Sequence, residues 1–103
     1  MALIPNEWSV DGSADNAQVT LDKPALAGRR HVIQLITASY SAAAVGLLTL
    51  TVGGQVVLRH RVHNSAVLPV HFLCPVGVAV QVTLTASGTA GVIGHATLVG
   101  YSD

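Results

Sequence analysis

The chain has 103 residues, half of them apolar and only 10% charged, with five Lys or Arg set against five Asp or Glu. Soluble domains average about 25% charged residues, so a disordered charged tail is excluded. The balance also lacks the basic excess that displaces counterions from nucleic-acid phosphates, and the length accommodates one domain.

Residues 1–16 read as an N-terminal arm, with a first short strand at Trp8-Ser9-Val10 and a polar loop from Asp11 to Asn16. Residues 17–103 read as one β-domain. Gln18 to Leu21 alternates in polarity, and Pro24 with Gly28 punctuates its end. Arg30 to Ser41 is a long strand. Val32, Gln34, Ile36, Ala38 and Tyr40 share one face; His31, Ile33, Leu35, Thr37 and Ser39 share the other. Large apolar groups on both faces suit a strand covered on both sides. A short helical turn fits only at Ser41 to Ala44.

Leu47 to Val52 and Gln55 to Val62 flank Gly53-Gly54, two residues able to take the positive φ that a type I′ hairpin needs. The tight register sets Leu48 against Arg59. One extra loop residue, through a bulge, instead brings Val56 and Leu58 onto the Leu48, Leu50 and Val52 face, and this is the register expected. Val67 to Leu73 is a strand that Pro69 confines to an edge. Pro75-Val76-Gly77 is a turn. Val78 to Thr85 is the clearest strand, with Val78, Val80, Val82 and Leu84 on one face. Ser87 to Gly91 turns the chain, and Val92 to Tyr101 returns with Ile93, His95, Thr97, Val99 and Tyr101 together. Seven or eight short strands without a convincing helix predict an all-β fold: a single-domain antiparallel β-sandwich of the jelly-roll kind.

The residues that could carry chemistry are few. Cys74 is the one cysteine; it follows an apolar run and is expected to be buried and inert. Within Arg59-His60-Arg61-Val62-His63, the two histidines point to opposite faces of a strand, and the arginines repel a cation, so no metal site is expected. Asp11 to Asn16 followed by Asp22 mimics calcium-loop spacing, but Asn16 stands where the loop needs Gly and no helices flank it. Carboxylates are confined to residues 7–22 and Asp103, so no catalytic constellation forms. No cofactor and no enzymatic activity are expected. The start has no basic n-region or long apolar h-region, so no signal peptide is expected. Gln34, Thr37, Ser39, Ser41 and Gly53-Gly54 break up the apolar stretch that a membrane helix would need. Arg29-Arg30-His31 and Arg59-His60-Arg61 hold four of the five basic residues, a pattern suited to contact with an acidic protein surface.

Trp8-Ser9-Val10, Ala17-Gln18-Val19-Thr20, Lys23-Pro24-Ala25, Ala27 to Val32 and the ending Gly100-Tyr101-Ser102-Asp103 give the chain a resemblance along almost its whole length. It resembles small β-sandwich or jelly-roll virion proteins of tailed bacteriophages, of the head decoration or cement type. The resemblance implies a non-enzymatic homotrimer, made in the host cytoplasm, that binds the major capsid protein lattice on the head exterior and stabilises the shell. Similar modules at tail tips and fibres imply the alternative, adhesion to a receptor or glycan. Interface residues expected on this reading are Leu3, Ile4, Trp8, Val10, Arg29, Arg30, His31, Tyr40, Arg59, Arg61 and Tyr101. Trp8 is either the anchor to the shell or part of its own sandwich.

Overall fold

The structure is a computed structural model that describes residues 7–103. Eight strands follow in order: β1 (Glu7–Asp15), β2 (Val19–Lys23), β3 (His31–Tyr40), β4 (Val45–Val52), β5 (Gln55–His63), β6 (Ser65–Leu73), β7 (Val80–Leu84) and β8 (Ile93–Ser102). All pairings are antiparallel, in the order β1-β8-β3-β6 and then β5-β4-β7-β2. The two four-stranded runs form the two layers of a sandwich, and one pair, His63 opposite Ser65, joins them. This strand order is that of a jelly roll, with two Greek keys wound together.

The interior lies between the layers. Val80, Val82 and Leu84 of β7 meet Leu48 and Leu50 of β4 and Leu21 of β2 on one side, and Ile33, Ile36 and Leu98 supply the other; all are at most 2% exposed. Burying such a side chain fully contributes about 1.5–3 kcal/mol, so these layers dominate the stability. β7 carries the alternation read from its sequence, though it begins at Val80 rather than Val78.

Three local expectations are corrected. The arm and loop assigned to residues 1–16 are, over Glu7–Asp15, an edge strand paired with β8 along its whole length. Its inward Gly12 lies beneath Leu21 and Val19 of β2, where a Cβ would come within 3.1 Å of the leucine. That close packing lets β1 lie against β2 and closes the sandwich on this side. The long strand β3 is covered on both faces only at its start, where Val32 and Ile33 are both buried. A register shift between Ile33 and Leu35 turns Ile33 inward before the bulge and Ile36, Ala38 and Tyr40 inward after it. A bulge adds one residue and so exchanges the faces. Finally, Ser41 to Ala44 is a bend with no helical turn.

The β4–β5 hairpin has the extra residue expected, but within the strand and not in the loop. Gly53 and Gly54 both have positive φ, at 57° and 83°, and Val52 pairs with Gln55 across a two-residue turn. The shift falls between Leu50 and Thr51, so Leu58 faces Leu50 as expected, whereas Val56 faces Thr51 and stays exposed. Pro69 does sit on an edge strand, β6, whose only long partner is β3. Asn64 takes φ of 66° at the corner between β5 and β6. Its amide oxygen accepts from the Ala44 N–H and its carbonyl from the Tyr40 N–H; asparagine tolerates this left-handed conformation better than most residues.

Candidate functional site

At one end of the sandwich, four segments distant in sequence converge on His31. Its Nε2 lies 2.8 Å from the Pro24 carbonyl and must donate to it; its Nδ1 lies 2.8 Å from Ser102 Oγ. In the neutral tautomer this fixes, the Ser102 hydroxyl donates to Nδ1 and accepts the indole N–H of Trp8 at 3.0 Å. The Trp8 ring stands edge-on to the imidazole, with centroids 5.5 Å apart, and Lys23 Nζ lies 5.0 Å from the indole centroid. Gly100 is opposite Trp8, and a Cβ there would strike the indole and the Val32 carbonyl. His31 and Ser102 are 1% and 2% exposed. A serine beside a histidine suggests nucleophilic catalysis, which needs an accessible hydroxyl and a group that stabilises the imidazolium. Here the hydroxyl is buried and the orienting group is a neutral carbonyl. The arrangement is suited to tying β1, β3, β8 and the Pro24 loop together.

The interface expected from sequence is therefore only partly at the surface. His31 and Tyr40 are corrected: both are buried, and Tyr40 donates its hydroxyl to the Thr85 carbonyl at 2.8 Å. Val10 is half-buried and packs against the core, and Trp8 packs on its own sandwich. Arg29 is exposed, Arg30 pairs with Asp103 at 3.2 Å, and Tyr101 is half-buried on the outer face of β8. Arg59 and Arg61 are exposed on β5. Leu3 and Ile4 lie outside the described residues. Cys74 is 2% exposed, and burial raises its thiol pKa.

The outer face of β2-β7-β4 is polar and was not singled out by sequence reasoning. Register brings Asp22, Gln81 and Thr51 into one cross-strand row, and Thr20, Thr83 and Thr49 into the next. Gln81 Nε2 donates to Asp22 Oδ1 at 2.9 Å. Asp22, Gln81 and Thr51 border an open cavity of about 350 Å³ lined also by Lys23, Gly54 and Ala79. The alternation of β7 placed Gln81 and Thr83 outward, but nothing in the sequence shows which strands lie beside it. Among the described residues no group of three His, Cys, Asp or Glu could hold a metal ion. Among the described residues no helix is long and apolar enough to cross a membrane.

The jelly roll is the class that this topology defines. No family model and no curated protein sequence matches the chain. Among solved structures, it is similar to the CBM36-1 domain of a multidomain xylanase from the hindgut metagenome of Trinervitermes trinervoides, with a TM-score of 0.44 and 10% identity over 90% of this chain and 96% of that one. It is also similar to a carbohydrate-binding module, CBM36, in complex with calcium and xylotriose, with a TM-score of 0.41 and 14% identity over 87% of this chain and 74% of that one. Similarity at this level assigns no function.

Proposed function

We propose that the chain is a non-catalytic jelly-roll binding module, of the adhesion type found at virion tail tips and fibres, that holds a polyhydroxylated ligand such as a glycan on its β2-β7-β4 face. The observation that carries this reading is the Asp22–Gln81–Thr51 row at the edge of the open cavity. Hydroxyl, amide and carboxylate groups spaced at the strand separation of about 4.8 Å can donate to and accept from successive hydroxyls of an extended sugar chain. The one serine–histidine hydrogen bond among the described residues is buried, which supports a non-catalytic role. No aromatic residue stands in the two polar rows to stack on a sugar ring, so binding to one chain is weak and gains strength from several copies acting together.

The test is retention on immobilised polysaccharides and on a glycan array. Wild type is expected to be retained, and Gln81→Ala with Thr51→Val to lose retention while keeping its melting temperature. Failure of wild type to bind any neutral or acidic glycan overturns the reading.

A second reading, decoration of a capsid, is favoured by the other outer face. Leu35, Pro69 and Val99 form one cross-strand row there, flanked by Val67 and by Leu73 with Tyr101. Val67 and Leu73 are 67% and 49% exposed, and an apolar patch of this kind on the β3 and β6 part of the face suits docking on protein. Copy number in purified particles separates the two: hundreds of copies support the head, and six or fewer support the tail.

A further inference from the structure

Four of the five carboxylates and two of the five Lys or Arg lie on opposite flanks of this molecule. Glu7, Asp11 and Asp15 lie on β1, and Asp22 lies on β2. The only other carboxylate, Asp103, pairs with Arg30. Residues 24–102 contain no Asp or Glu at all. β1 and β2 are edge strands of the two layers on one side, and Lys23 is the one basic residue on them, giving that flank an excess of negative charge.

The opposite edges are β6 and β5. They carry Arg59, Arg61, His60, His63 and His71, all exposed. Neither arginine has a carboxylate within 4 Å; the ion pairs are Arg30–Asp103 and His95–Asp11. Two strands, β4 and β7, stand between β5 and the acidic β2, so roughly 14 Å of sheet separates the flanks. Flexing side chains cannot bring the two sets together within one copy. The β5/β6 flank also exposes Val56, Val57, Val67 and Leu73, and its edges offer unpaired backbone groups.

We infer that the β5/β6 flank docks on the β1/β2 flank of a second copy of this chain, head to tail. The complementary charges reside on one chain whose formal net charge is zero, so a second copy supplies a carboxylate flank for Arg59 and Arg61 and an arginine flank for Glu7, which has no ion pair of its own among the described residues. Such a contact joins two different surfaces and is heterologous. A twofold axis would make the contact isologous, so the smallest closed ring built this way has three members. The inference shares Asp22 and the Thr49 neighbour Arg59 with the sugar-binding face, whereas Glu7 and Asp11 lie on β1, outside both polar rows.

The test uses sedimentation velocity on four chains: wild type, Arg59→Glu with Arg61→Glu, Glu7→Lys with Asp11→Lys, and all four changes in one chain. Wild type is expected to form a ring that weakens as salt rises. Each two-site variant is expected to dissociate at least tenfold more readily, and the four-site chain to reassemble because both flanks are inverted. Circular dichroism and melting temperature establish that each variant is folded. A monomeric wild type, an assembly indifferent to either two-site reversal, or a folded four-site chain that stays monomeric overturns the inference. Sedimentation of the Gln81→Ala, Thr51→Val chain, which keeps every charge of the two flanks, scores the readings apart: it is expected to assemble as wild type does while losing glycan retention.

Discussion

Ser102 Oγ lies 2.8 Å from His31 Nδ1 across 71 residues of sequence, and both groups are almost wholly removed from water. The hydroxyl is the middle of a relay that begins at the Trp8 indole and ends at the Pro24 carbonyl. Trp8 Nε1 and His31 Nδ1 therefore depend on Ser102 to be satisfied. Ser102→Ala leaves two buried nitrogens without a partner, which costs about 1–3 kcal/mol. A urea melt of the variant is expected to show the midpoint falling with an unchanged slope. An unshifted midpoint would show that the relay contributes nothing to stability.

Trp8→Ala separates the two roles weighed for that residue. The indole covers Gly100, meets His31 edge-on and bonds to Ser102, so truncation removes packing and a hydrogen bond together. The expected loss is about 2–4 kcal/mol, near the lower end for a large aromatic because the ring is half-buried, and calorimetry should show a drop in melting temperature. Full stability of the alanine variant would instead assign Trp8 to an external partner.

Tyr40 sits between two glycines. A Cβ on Gly46 would overlap the Tyr40 hydroxyl, and one on Gly94 would come within 3.3 Å of its ring. Gly46→Ala is expected to cost more than Tyr40→Phe. The first overpacks a buried site, at about 1–3 kcal/mol; the second loses one hydrogen bond to Thr85, at about 1 kcal/mol. Paired thermal melts check the order, and the reverse order would mean that the ring shifts freely.

Burial holds the Cys74 thiol protonated above the ordinary range. The folded state then binds the proton more tightly than the unfolded state. Stability from this group is present below the unfolded thiol pKa and is lost as pH rises towards the raised folded one. Between about pH 8 and 10, wild type should lose stability more steeply than Cys74→Ala, as urea midpoints measured across that range would show. Equal slopes would contradict this, as would rapid reaction of the native thiol with a disulfide reagent.

The fold was legible wherever alternation was clean. Val80, Val82 and Leu84 face inward as their spacing requires, and β8 turns Ile93, His95, Thr97, Val99 and Tyr101 outward together. It was illegible where one residue is added. The bulge after Ile33 exchanges the faces of β3, and no side chain in that stretch announces it. Polar residues also misled: Asp11, Ser13 and Asp15 resemble a loop, yet they are the outward half of an edge strand whose inward half is Val10, Gly12 and Ala14. The candidate sites depend on register between distant strands. Gln81 meets Asp22 and Thr51, and His31 meets Ser102, only after the sheets have formed, so no local spacing could reveal them.

Among the described residues the single pair His63–Ser65 is the one ladder pair between strands of the two layers, whereas β8 is paired along its length to both β1 and β3. Protection against amide exchange should be distributed accordingly. The β8 amides open only when the whole domain unfolds, while those on the free sides of β5 and β6 exchange from the native state. Side-chain packing of Gly12 beneath Leu21 holds the β1/β2 side closed, and the layers part first along the β5/β6 margin, where one ladder pair is all that has to open.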